Sequence, residues 1–243
     1  SMRLDKFLAN ENIGSRKAVG ALVRSGAVTV NGQAAKKADQ QIDADSDRIC
    51  VNGTPVRYNA HTYIMLHKPA GVLTATRDSR AETVLDLLPP ALRRRGLFPA
   101  GRLDKDTTGL LIITDDGGYA HRMLAPKSHV IKRYEAVLDL PAEAADKARF
   151  AAGIESGPDC FAPALLEISE TDPHTVWVEI REGKFHQVKR MFRACGKNVT
   201  ALRRLSIGAL RLDAALGPGE ARILPENAYL CSILANSQIQ RYE

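Results

Sequence analysis

Cysteine is scarce in this chain and poorly placed for chemistry of its own. Cys50, Cys160, Cys195 and Cys231 are widely scattered and form no Cys-x-x-Cys pair, so neither a zinc site nor a disulfide framework is suggested. Four reduced, mostly buried thiols are the expectation. No apolar run reaches the ~20 residues of a membrane span, and the charged N-terminus is unlike a signal peptide; Ser1 ahead of Met2 reads as an expression remnant. A soluble, cytoplasmic protein without membrane contact is expected. The glycines form neither a Gly-x-Gly-x-x-Gly turn nor a P-loop, which removes the nucleotide folds those turns mark. The single tryptophan, Trp177, falls in a strand-like run and is expected in the core.

Acid is what the region from Arg181 to Arg211 lacks: nine Lys/Arg stand there against Glu182 alone. The whole chain carries +6. A charge excess concentrated in this way favours a polyanionic partner. At 243 residues the chain is long enough for one small and one medium unit, each with its own core.

The chain is organised around residues 101–118. Gly101-Arg102-Leu103-Asp104-Lys105-Asp106-Thr107-Thr108-Gly109 reads as a loop, Leu110 to Thr114 as a buried strand, and Asp115-Asp116-Gly117-Gly118 as a closing turn. A carboxylate is thereby offered at the mouth of a rigid strand. Asp104, Asp106, Gly109 and Asp115 occupy positions one, three, six and twelve of a calcium loop, but Leu-Leu-Ile-Ile after the glycine supplies no ligand at position nine. No metal is expected.

Residues 2–59 read as a separate module. Leu4, Phe7 and Leu8 mark a short helix, Asn12-Ile13-Gly14 breaks it, and Ser15 caps a second helix that Gly26 ends. Two strands follow, each closed by an Asn-Gly turn, Asn31-Gly32 and Asn52-Gly53. Arg16 and Lys17 lie in the first turn of the second helix, where the macrodipole disfavours cations; a bound phosphate would reverse that penalty. From residue 60 on, single strands alternate with short helices without a βαβ rhythm, which argues for an α+β fold on a mixed sheet. The strands include Tyr63 to Val72, Lys132 to Leu138, Ala164 to Ser169 and Thr175 to Ile180. The helices are Tyr119 to Leu124, Pro141 to Gly153 and one starting near His186. In that last helix Val188, Met191 and Phe192 share the buried side, leaving Gln187, Lys189 and Arg190 for other faces.

Gly-Arg-Leu-Asp-x-x-Thr-Thr-Gly-Leu-Leu closely resembles the signature of the RsuA/RluA-type pseudouridine synthases. Lys68-Pro69-Ala70-Gly71, Lys132-Arg133-Tyr134 and His186-Gln187-Val188-Lys189-Arg190-Met191 are similar to that family's other motifs. The run Arg3-Leu4-Asp5-Lys6-Phe7-Leu8 through Gly14-Ser15-Arg16 to Asn31-Gly32 resembles the S4 RNA-binding domain. The resemblance covers nearly the whole chain and implies an S4-like module over 1–59 and a synthase domain over 60–243, with a mainly antiparallel sheet and a central cleft. It implies Asp104 as the catalytic carboxylate, Tyr134 as the residue facing the target base and Lys189 as the cation paired with Asp104. Lysine here keeps the charge of the arginine many relatives carry but not its bidentate geometry.

RNA contacts are expected from Arg16, Lys17, Arg24, Arg102, His186, Gln187 and Arg190, and the run Arg93-Arg94-Arg95 is placed to clamp backbone. His186 has no acid near it in sequence and reads as a positioning or RNA-contacting residue rather than a general base. The His-Gln-Val-Lys-Arg-Met run is most similar to members acting on small-subunit rRNA. The implied function is therefore uridine isomerisation in 16S rRNA, on an assembly intermediate, by a monomer, without a cofactor. A 23S rRNA target and a non-catalytic RNA-binding assembly factor are the alternatives. Glycosidase chemistry is weaker, because it usually needs a second carboxylate and Asp106 is an uncertain partner.

Overall fold

The computed structural model of the chain describes residues 1–225 and 228–233. They form two compact units, one of residues 1–62 together with 89–97, the other of the remaining residues.

In the first unit, helices α1 (Leu4–Asn10) and α2 (Arg16–Arg24) bury Leu4, Phe7, Leu8, Val19 and Val23 against Val28, Ile42 and Ile49. The i, i+3, i+4 spacing places these side chains on single faces. Ser15 caps α2 as its position predicts, its Oγ accepting a hydrogen bond from the Ala18 amide at 3.2 Å. Strand β1 (Val28–Val30) turns through Asn31 and Gly32, both with positive φ, the left-handed pair that a two-residue hairpin loop requires. Strand β2 (Ile49–Val51) pairs antiparallel with β1 and repeats the device at Asn52-Gly53. Arg16, Lys17 and Arg24 are exposed on α2. Arg94 differs from its expected role. Its guanidinium donates to Thr62 Oγ1 and pairs with Glu11 at 3.4 Å, so it stitches the segment 89–97 into this unit rather than waiting for phosphate.

The second unit is built on a nine-stranded sheet. Its strands are β3 (Tyr63–Lys68), β4 (Phe98–Ala100), β5 (Thr108–Thr114), β6 (Lys132–Leu138), β7 (Leu165–Ile168), β8 (Thr175–Ile180), β9 (Val199–Ile207), β10 (Leu210–Arg211) and β11 (Ala221–Ile223). The main path runs β7-β8-β6-β9-β5-β3-β11, with β4 against β5 and β10 against β9. Every pairing is antiparallel except β5 with β9. The expected mixed, mainly antiparallel α+β architecture is what the chain adopts.

Strand β5 is central, and Leu110 to Ile113 are fully buried; a strand covered on both faces reads as a continuous apolar run. Strand β6 alternates instead. Arg133 and Glu135 face outward, where Arg133 meets Glu167 and Glu179 at 3.0 and 2.9 Å and Glu135 meets Arg203 at 3.0 Å. Lys132, Tyr134, Ala136 and Leu138 fall on the opposite face by the period of two, and Ala136 and Leu138 are buried there.

Three local expectations change. Asp115-Asp116-Gly117-Gly118 opens helix α3 (Gly117–Leu124), with Asp116 Oδ1 accepting from the Tyr119 amide at 2.9 Å, because an aspartate before an apolar run caps a helix as readily as it makes a turn. Trp177 is only half-buried, since Val176, Val178 and Ile180 take the inner face of β8. Of the four thiols only Cys50 is buried, and Cys160 is exposed. The expected helix over 141–153 is α4 (Ala144–Ala152). The helix expected near His186 is α5 (Gln187–Ala194), with His186 as N-cap in the left-handed region and Gly196 just beyond its end. Among the described residues no helix is long and apolar enough to cross a membrane.

Candidate active site

The loop between β4 and β5 carries Asp104, and another sequence motif holds it rigid. The Lys68 ammonium, fully buried at the end of β3, donates to the carbonyls of Pro69, Lys105 and Thr107 at 2.9, 3.0 and 2.8 Å. The Gly71 amide adds a bond to Lys105 O at 2.8 Å. Thr74 exchanges two bonds with the backbone of Leu103, at 2.9 and 3.2 Å. Lys-Pro-x-Gly and Gly-Arg-Leu-Asp thus meet in space, the first fixing the backbone of the second. Burial pushes the Lys68 ammonium down to about 8, against the pull of Asp106 and Asp104, so three carbonyls and two nearby carboxylates offset its desolvation only in part.

Gly109 accounts for the next position of the motif. It has φ +106°, and a Cβ there would lie 2.2 Å from Arg204 O and 2.7 Å from Arg204 N. Only glycine lets β5 approach β9 this closely, and this contact is the parallel pairing Arg204 to Gly109.

Asp104 is brought to the N-terminal end of α5. Its Oδ2 lies 3.2 Å from Lys189 Nζ and its Oδ1 3.3 Å from His186 Nε2. Lys189 also pairs with Asp106 Oδ1 at 2.6 Å. Burial pulls the Lys189 ammonium down, but its hydrogen bonds to Asp106 and Asp104 outweigh that and leave it above the usual lysine range. The same bond holds the Asp106 carboxyl below the usual carboxylate range. Asp106, an uncertain partner from sequence, is therefore the second anion of a carboxylate-lysine-carboxylate bridge. His186 does have an acid partner, one supplied by tertiary structure, and its ring stacks on the exposed Phe185 ring at 3.7 Å.

A cavity of about 1030 Å³ opens beside this bridge, with Asp104, Tyr134, His186 and Lys189 in its wall. Arg102 stands exposed at its edge. Two residues expected on RNA have protein partners, Gln187 while also lining the cavity. Gln187 is buried and donates to Glu182 Oε2 at 3.0 Å while accepting from the Lys184 amide at 3.2 Å; it folds the turn before α5. Arg190 pairs with Asp159 at 2.7 Å, donates to Ser156 O at 2.8 Å, and lies 4.8 Å from the centre of the Phe161 ring. Both were assigned outward faces from the helical period alone, which does not show that the strands and loops around α5 cover those faces.

Lys132, Arg204 and Thr107 also line the cavity and were missed as site residues. Lys132 had a signal, because it stands two residues before Tyr134 on one strand and so shares its face. Arg204 had none. A bulge in β9 at Leu205, between the pairs Arg133–Ser206 and Tyr134–Arg204, sets it opposite Tyr134. Arg16, Lys17 and Arg24 belong to the first unit.

Comparison with known proteins gives this geometry its context. The model of RNA pseudouridylate synthases matches residues 62–194 and that of the S4 domain residues 2–49. A Bacillus subtilis protein described as an uncharacterized RNA pseudouridine synthase is 48% identical over 228 residues, covering 93% of this chain and 95% of the relative. Ribosomal small subunit pseudouridine synthase A of Escherichia coli is 40% identical over 228 residues, covering 93% and 97%. A crystal structure of a pseudouridylate synthase, 37% identical, superposes with a TM-score of 0.65 over 96% of this chain and all of the other. With the motif residues Asp104, Tyr134 and Lys189 gathered at one cavity and relatives of this identity along nearly its whole length, the chain belongs to the RNA pseudouridylate synthase family.

Proposed function

We propose that the chain converts one uridine of 16S rRNA to pseudouridine, on a small-subunit assembly intermediate in the cytoplasm, with Asp104 as the reacting carboxylate. The observation that carries this reading is the placement of Asp104 at a cavity wall between Lys189 Nζ and His186 Nε2. A carboxylate must be ionised to attack a sugar carbon or take a sugar proton. An ammonium at 3.2 Å favours that ionised form against burial.

The reaction breaks the bond from N1 to C1′, turns the base and joins C5 to C1′, with the C5 proton released to solvent. Nothing is oxidised and no group is imported, so no cofactor is called for. A stacked uridine keeps C1′ and C5 out of reach, and it must be flipped into the cavity at a cost of a few kcal/mol. Tyr134 packs against the extruded base and accepts a proton late in the reaction, and Arg102 holds adjacent phosphate. The S4-like module, residues 1–59, docks the RNA through Arg16, Lys17 and Arg24, and residues 60–243 carry the chemistry. The protein works as a monomer. Similarity to the Escherichia coli ribosomal small subunit pseudouridine synthase A supports the small-subunit target.

The test is incubation with 16S rRNA, bare and bound to ribosomal proteins, followed by mapping of pseudouridine as carbodiimide-dependent reverse-transcription stops. One new stop that disappears with Asp104→Asn is the expected result. Stops confined to 23S rRNA would move the target. Tight, salt-sensitive binding without any stop would favour an RNA-binding factor.

A further inference from the structure

The cavity lining includes a group of hydrogen-bond donors that the carboxylate chemistry does not use. Arg204 is 6% exposed. Its Nε donates to Leu110 O at 2.9 Å, but Nη2 is buried with no partner among the described residues. Thr107 is 2% exposed, and its Oγ1 is likewise buried and unpartnered. Lys132 lines the same cavity and has no side-chain hydrogen bond or ion pair among the described residues. The charged group that acts on it is Arg204, and burial together with that cation holds its ammonium below the usual lysine range.

Leaving buried donors unpaired is costly, and placing two cations together without an acid costs more. Sequence-distant strands were nevertheless arranged to do this. Lys132 and Tyr134 share a face of β6, and the β9 bulge sets Arg204 beside Tyr134. An unpartnered ammonium in a cavity wall, with a second cation beside it, calls for a ligand that supplies acceptor oxygens, preferably ones bearing negative charge.

We propose that Lys132, with the Arg204 cation beside it, binds a carbonyl oxygen of the flipped uracil and stabilises the negative charge the base acquires as its bond to C1′ breaks. This rests on the uridine-isomerising reading above. When N1–C1′ cleaves, the bonding pair stays with N1 and spreads onto O2 and O4. When C5 joins C1′ the pair is spent in the new bond, the C5 proton leaves, and N1 takes up a proton. Donors already in place, in a site sheltered from water, stabilise that transient charge without reorganising. A phosphate would be the other ligand for such an ammonium. Lys132 shares its strand face with Tyr134, the residue assigned to the base, which favours the base over the backbone.

Two readouts test this on the full-length protein. The first is the affinity for uridine and for uridine 5′-monophosphate by ligand-observed NMR titration. The second is single-turnover release of tritium from C5-labelled rRNA at saturating protein. Lys132→Met is expected to weaken both ligands by about tenfold and to slow release by ~10²-fold or more, with the salt dependence of rRNA binding unchanged. Lys132→Arg is expected to recover at least ~10-fold of the rate. The melting temperature of Lys132→Met is expected to stay level or rise, since a half-buried, unpaired cation is removed.

Weakened binding of the monophosphate with unchanged uridine affinity would overturn the proposal in favour of a phosphate contact. A rate loss that tracks a lower melting temperature and is not recovered by arginine would reduce Lys132 to a structural role and also overturn it. If the unaltered protein released no tritium while uridine binding still depended on Lys132, the pyrimidine subsite would stand and the isomerase reading would fall.

Discussion

At the scale of single residues, the site is an exercise in compensating one charge with another. Lys189 stands between two carboxylates, 3.2 Å from Asp104 and 2.6 Å from Asp106. Asp106 is the more exposed acid, and its role is to keep the ammonium placed. Its pKa is lowered chiefly by the hydrogen bond from Lys189, so its stabilising contribution is present above the unfolded carboxyl value of ~3.9 and is lost as pH falls through the lower folded value. The raised Lys189 behaves conversely: its contribution is present below ~10.4 and is lost as pH climbs through the folded value above that. The bridge is therefore intact across the neutral range. Asp106→Asn is expected to lower the urea midpoint slightly at pH 6, and the two proteins' midpoints are expected to converge as pH is brought to 3. Its turnover should fall by no more than a few-fold, because Asp104 keeps its cation. A gap that persisted unchanged at pH 3 would show that the bond to Lys189 is not what depresses the Asp106 carboxyl.

At the scale of elements, the meeting of β5 and β9 places the loop that carries Asp104, and Gly109 permits it. An alanine there would put Cβ 2.2 Å from a backbone oxygen at φ +106°, and backbone cannot yield as a flexible side chain does. Gly109→Ala is expected to cost at least ~3 kcal/mol in denaturant unfolding and to abolish tritium release even where the protein stays folded. A loss below ~1 kcal/mol with normal turnover would mean that β9 moves aside freely. Elements of this kind were legible in the sequence to differing degrees. The strand Lys132–Leu138 and the helices bounded by Ser15 and by Gly196 were readable because a period and a cap or a glycine agreed. The meeting of Asp104, Tyr134 and Lys189 at one cavity was readable because their motifs are specific. The inward turn of Gln187, the diversion of Arg190 to Asp159 and the half-exposure of Trp177 were not, since each depends on what packs against an element rather than on its own period. The His186 contact with Asp104 joins residues 82 positions apart, and Arg204 owes its place to a bulge, so neither leaves a local trace.

At the scale of the whole molecule, basic charge stands on both units, on α2 of the first and on the region from Arg181 to Arg211 of the second. The chain's +6 is thus not a uniform coat. Phosphate neutralisation releases counterions, and each contact contributes roughly 0.7–0.9 to the slope of log affinity against log salt. Arg16 and Lys17 sit exposed in the first turn of α2, where the helix N-terminus penalises them unless an anion is present. Replacing both by alanine is expected to remove about 1.5 to 2 units of that slope and to raise the rRNA concentration needed for half-maximal rate. It should leave the rate at saturation unchanged, because neither residue touches the reacting atoms, and stability should hold or improve slightly as two cations leave a helix N-terminus. The salt dependence of binding by fluorescence anisotropy, read beside single-turnover rates, separates the possibilities. An unchanged slope would remove these two residues from the RNA interface, whereas a lower rate at saturation would mean that the first unit helps set the target uridine in the cavity as well as binding the strand around it.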